Sequence, residues 1–124
     1  ETTLEPGEFV SAVSLPAASA RGKRGLQRYY KAMQRESWDF ALVSLAAVRR
    51  DDGDVRLVLG GVAPRPWRVN PSVEEDVAAG ELDDDGAVSL AERALLDARP
   101  LAKNAYKVEV AAALTRRAVR DLSA

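Results

Sequence analysis

The sequence predicts an α+β fold: an antiparallel sheet of three to four strands covered on one face by three helices, a two-layer sandwich. Strand-like alternation and short apolar runs fill the chain up to Leu59, and helical periodicity takes over from Pro71 onward. A tight turn at Asp51-Asp52-Gly53-Asp54 joins two of the apolar runs and makes them antiparallel neighbours. Strands first and helices after is the order of an α+β chain.

The first strand is expected where Phe9, Ser11, Val13 and Leu15 alternate with Val10, Ala12 and Ser14, closed by Pro16. Residues 17–25 turn small and then basic, at Arg21, Lys23 and Arg24, which predicts an exposed, mobile loop. Solvation is the ordinary reading of that charge, and a phosphate or partner contact the alternative. Residues 26–33 form the next strand, with Leu26, Arg28, Tyr30 and Ala32 on one face and Gln27, Tyr29, Lys31 and Met33 on the other. A polar turn follows over residues 34–39. The apolar run at 40–48 fits helix or buried strand by periodicity alone; the turn after it favours a hairpin. Residues 42–49 are therefore read as mostly strand, entered through one helical turn at 38–41, and residues 55–59 as its partner.

The helices follow. Residues 71–79 begin with a proline in the first turn, carry Glu74, Glu75 and Asp76 near the positive end of the helix dipole, and stop at Gly80. Val88, Ala91, Ala94, Leu95 and Ala98 define the apolar face of a second helix ended by Pro100. The third has Asn104 as its N-cap and runs to about Leu122, with Val108, Ala111, Leu114, Ala118, Val119 and Leu122 as its buried stripe.

Composition narrows the chemistry. The 124 residues make one domain, 1–124, with an apolar share of 47%. Eighteen basic and nineteen acidic residues nearly cancel, which gives no support to nucleic acid or an anionic membrane as partner. With no Cys and no His, the chain lacks the usual ligands of zinc and iron–sulfur sites, a thiolate nucleophile and an imidazole base. No apolar run approaches the roughly 20 residues of a membrane span. From its charged, turn-prone start without an initiator Met, the sequence is expected to be a piece of a longer polypeptide.

Three clusters invite a functional reading. Gly60-Gly61 follows a strand as phosphate loops do, yet Pro64 and Pro66 just beyond cannot donate, so a structural turn is expected. Arg65, Trp67 and Arg68 suit stacking on a ring or an interface anchor. Glu36 and Asp39 lie beside the aromatics Tyr29, Tyr30 and Trp38, but no spacing marks them as a catalytic pair. The run Asp83-Asp84-Asp85 reads as a helix cap rather than a cation site.

In order and spacing, several segments resemble the C-terminal domain of the FAD-binding medium subunit of molybdenum hydroxylases, the family of carbon monoxide dehydrogenases, xanthine dehydrogenases and aldehyde oxidoreductases. They are Glu5-Pro6-Gly7-Glu8, Leu15-Pro16, Tyr30-Lys31, Arg35-Glu36-Ser37-Trp38-Asp39-Phe40-Ala41, Gly60 through Arg68, Ala98-Arg99-Pro100-Leu101 and Asn104-Ala105-Tyr106-Lys107-Val108. The resemblance implies an oxidoreductase subunit that takes electrons from iron–sulfur clusters, with FAD held mostly by preceding domains of the same chain. It implies iron–sulfur and molybdopterin-bearing molybdenum subunits as partners, and a cytoplasmic assembly or one exported with a partner. By the same resemblance, Lys31, Gln34, Arg35 and Glu36 are the residues facing the flavin, and the isolated fragment is inactive. A solvated strand lysine is the ordinary alternative for Lys31. The alternative for the whole chain is a docking module without cofactor contact.

Overall fold

The computed structural model describes residues 3–14, 25–36, 38–80 and 82–123. Strands β1 (Leu26–Ala32), β2 (Val43–Arg49), β3 (Val55–Gly60) and β4 (Trp67–Arg68) pair antiparallel in chain order. Tyr30, Leu45 and Leu59 stand in one row across this sheet and are buried. Side chains alternate along a strand, so the next row, Tyr29, Ala46 and Val58, points the other way, onto a face that no helix among the described residues covers.

Helices α1 (Pro71–Ala79), α2 (Asp84–Ala94) and α3 (Tyr106–Ser123) all lie on the first face. The boundaries of α1 follow from local chemistry. Asn70 accepts the Ser72 N–H at 3.0 Å, Pro71 occupies the first turn, and Gly80 leaves it with φ of 83°. Asp83 caps α2 by accepting the Gly86 N–H at 2.8 Å, as the acidic run predicts.

Four expectations are corrected. Residues 9–14 form no strand and are exposed; Leu15, Pro16 and the loop predicted over 17–24 lie outside the described residues. No helical turn leads into β2, because Trp38 takes a left-handed backbone conformation (φ 53°) that an α-helix cannot contain. The buried face of α2 is Ala87, Leu90 and Ala91; the helix ends at Ala94, so Ala98 never joins it. The Asn104 side chain points backwards, accepting the Leu101 N–H at 2.6 Å, and only its carbonyl meets α3, at the Lys107 N–H.

Buried polar groups fix how the layers sit. Thr115, in the buried stripe of α3, satisfies its hydroxyl on the Ala111 carbonyl at 2.8 Å. Arg49 reaches from β2 to the Leu122 and Ala78 carbonyls, tying the last turns of α3 and α1 to the sheet, where helix dipoles favour a cation. Glu74 was expected to serve only as a charge in the first turn of α1; instead it is 2% exposed. β4 is only two residues long, and the Leu57 N–H beyond its reach donates to Glu74 Oε1 at 2.8 Å. Arg68 and Arg56 pair with the same carboxylate at 2.6 and 3.5 Å. Its hydrogen bond holds the Arg68 guanidinium proton more firmly than usual.

Tyr30 ties β1 to α3. Its hydroxyl donates to Asp121 Oδ2 at 2.6 Å and Arg117 lies over the ring. Burial, then the hydrogen bond to Asp121, push its pKa from 10.0 up to about 12. The folded state thus keeps a proton that the unfolded chain releases. This stabilisation is complete below pH 10 and lost as pH rises through about 12. Denaturation midpoints should fall across that window in the native domain, and the share due to Tyr30 should vanish in Tyr30→Phe.

Candidate functional site

Residues 33–42 leave the sheet at Ala32 and return at Val43, which are ladder partners; the Leu42 N–H closes the loop on the Ala32 carbonyl at 2.8 Å. Asp39 gathers the backbone of Gln34, Arg35 and Phe40 within it. Its Oδ2 accepts the N–H groups of Gln34 and Arg35 at 3.1 Å each, and its Oδ1 accepts that of Phe40 at 3.0 Å. Its carbonyl accepts Lys31 Nζ at 2.7 Å, and the Arg35 guanidinium lies 3.7 Å from its carboxylate. Successive N–H groups converging on a carboxylate are an anion nest already filled by the chain itself.

Three of the four residues singled out in the sequence, Lys31, Gln34 and Arg35, are therefore brought together on Asp39; Glu36 follows them in the chain. Lys31 stands on the open face of β1, its ammonium anchored to the loop, while the side chains of Gln34, Arg35 and Glu36 are exposed. Two aromatics join them: Trp38 is 99% and Phe40 93% exposed. Phe40 opens the apolar run that reads as helix or buried strand and was placed in the helical turn expected at 38–41, and no periodicity betrays its exposure. The role of Asp39 was legible only as a carboxylate four residues from Arg35. With three backbone donors on it, Asp39 is a loop anchor, not half of a catalytic pair.

Next to Lys31 the sheet is low. Ser44 and Gly60 complete its row, and a Cβ on Gly60 would stand 2.5 Å from Ser44 Oγ. Gly61 (φ 76°) packs so closely on the loop that a Cβ would lie 2.9 Å from the Leu42 carbonyl oxygen, while its own carbonyl accepts Lys107 Nζ at 2.8 Å. The expected structural turn is what these glycines make.

Trp67 lies elsewhere. It pairs with Leu59, in a row facing the helices, at the opposite edge of the sheet from β1. There it lines a cleft of about 600 Å³ with Val62, Leu96, Pro100, Lys107 and Val108. Arg68, expected beside it as a stacking cation, is held by Glu74 instead. Among the described residues no cluster of Asp or Glu has the makeup of a metal site, and no helix is long and apolar enough to cross a membrane.

This sandwich, with helices on one face of a four-stranded sheet, is a domain found within oxidoreductases. Quinoline 2-oxidoreductase from Pseudomonas putida 86 contains the same fold, matching with a TM-score of 0.64 over 78% of this chain and 36% of its own, at 24% identity. The chain belongs to the CO dehydrogenase flavoprotein C-terminal domain family, which matches residues 28–122. It is 39% identical over 111 residues to the aldehyde oxidoreductase FAD-binding subunit PaoB of Escherichia coli (strain K12), covering 90% of this chain and 31% of that subunit. The chain thus spans about a third of the length of the relatives it matches.

Proposed function

We propose that the chain is the C-terminal domain of the FAD-binding subunit of a molybdenum-dependent oxidoreductase. The observation that carries this reading is the 39% identity, over nine-tenths of the chain, to an FAD-binding subunit. In the whole assembly the subunit would use bound FAD to take electrons from iron–sulfur clusters on one partner subunit, while a second partner would carry the molybdopterin and select the substrate. The preceding part of the same polypeptide holds most of the FAD.

The residues present fit one part of that cofactor. A planar ring suits the shallow row of Lys31, Ser44 and Gly60, and the loop that follows β1 exposes Trp38 and Phe40. The pyrophosphate finds no cradle here, because the N–H groups of Gln34 and Arg35 are taken by Asp39. FAD supplies the two-electron acceptor. The protein's part is to hold a cation at a fixed point through the Asp39 carbonyl, and to exclude water with Trp38 and Phe40 once that face is covered. Gln34, Arg35 and Glu36 extend the same edge. Purified alone, residues 1–124 should retain no flavin through gel filtration, whereas the full-length subunit should carry it; flavin held tightly by the fragment would contradict this division of labour.

The cleft at Trp67 favours a second reading, a docking module without cofactor contact. It prevails if Lys31→Ala leaves flavin content, potential and turnover unchanged while Trp67→Ala prevents subunit assembly.

A further inference from the structure

Residues 9–14 have the composition of a strand and, among the described residues, join no sheet. Phe9 and Val13 are 79% and 78% exposed, Val10 is exposed as well, and among the described residues their backbone enters no ladder. The segment is nonetheless launched by an ordered turn. Pro6 and Gly7 (φ 93°) bring the Glu8 N–H to the Glu5 carbonyl at 3.0 Å, and the Glu5 N–H to Glu8 Oε2 at 2.9 Å. The apolar residues fall on both sides of it, Phe9 and Val13 on one and Val10 and Ala12 on the other, as in a strand buried on both faces. The domain's own sheet has an edge, β1, and this segment does not take it.

We propose that residues 9–14 are a strand of the sheet built by the polypeptide preceding this domain. The occupant is argued from where the family boundary falls. The C-terminal domain match begins at residue 28, downstream of the segment, and about two-thirds of the FAD-binding relative lies outside the aligned region. A contiguous exposed apolar stretch marks a surface that is covered in the mature protein, and strand addition satisfies its backbone and side chains together. The proposal rests on the reading of the chain as part of a longer flavin subunit.

Hydrogen–deuterium exchange tests it without perturbing the fold. In the full-length subunit, the amides of residues 10–14 should exchange on the order of a hundredfold or more slower than in the 124-residue fragment, where they should behave as an open chain. In a full-length Phe9→Ser, Val13→Ser variant that protection should drop, while β2 and β3 stay protected. Equal, fast exchange in the fragment and the full-length subunit overturns the proposal. So does protection in the fragment that grows with its concentration, which would make a second copy the partner. Flavin content read on the same sample separates the two claims: protected residues 10–14 in a flavin-free subunit uphold the strand and sink the flavin reading, and unprotected residues in a flavin-loaded subunit do the reverse.

Discussion

Glu74→Ala is expected to destabilise the domain by about 2–4 kcal/mol, the loss of charge-assisted hydrogen bonds together with a stranded buried donor. The Leu57 carbonyl still accepts the Val69 N–H at 2.9 Å, but β4 ends at Arg68 and the chain turns into α1 at Asn70, so the Leu57 N–H donates to Glu74 in place of a strand carbonyl. Arg68 and Arg56, being partly exposed, recover water when the carboxylate goes, which keeps the cost below that of a fully buried pair. Glu74→Gln retains an oxygen for Leu57 and should lose roughly half as much. Urea denaturation reads both, as a lowered midpoint at unchanged slope. A loss under about 1 kcal/mol for Glu74→Ala would mean that the β3 edge finds another acceptor.

What the sequence disclosed was local. Pro71 and Gly80 carry the limits of α1 in their own conformational preferences, and the Asp51–Asp54 turn carries the β2–β3 hairpin. What it hid depends on partners distant in the chain. Glu74 sits one residue from the Val73 and Val77 stripe, and two arginines on neighbouring strands were the available sign that it would be buried rather than solvated. β4 is too short to show a period. Residues 9–14 have the right pattern for a strand, but pattern cannot say which sheet receives it. At the candidate site, the family resemblance picked out Lys31, Gln34, Arg35 and Glu36; the part played by Asp39, which holds the first three, was visible only once the loop closed on its carboxylate.

The account turns on Lys31. A single positive charge several ångströms from a flavin ring, at the effective dielectric of a protein surface, favours the more negative state of that ring by roughly 1–3 kcal/mol. For a two-electron couple that is about 20–60 mV. The Asp39 carbonyl makes this cation more than a solvated strand lysine, because it fixes Nζ against the loop in place of leaving it to water. Anchoring through a neutral carbonyl leaves the full charge available to act on a neighbour. Lys31→Arg keeps the charge and should keep most of the effect, which separates electrostatics from packing. The direct measurement is the flavin reduction potential of the full-length subunit carrying Lys31→Ala. The account predicts retained flavin with a potential lowered by roughly 20–60 mV and largely restored in Lys31→Arg; an unchanged potential in Lys31→Ala would contradict it.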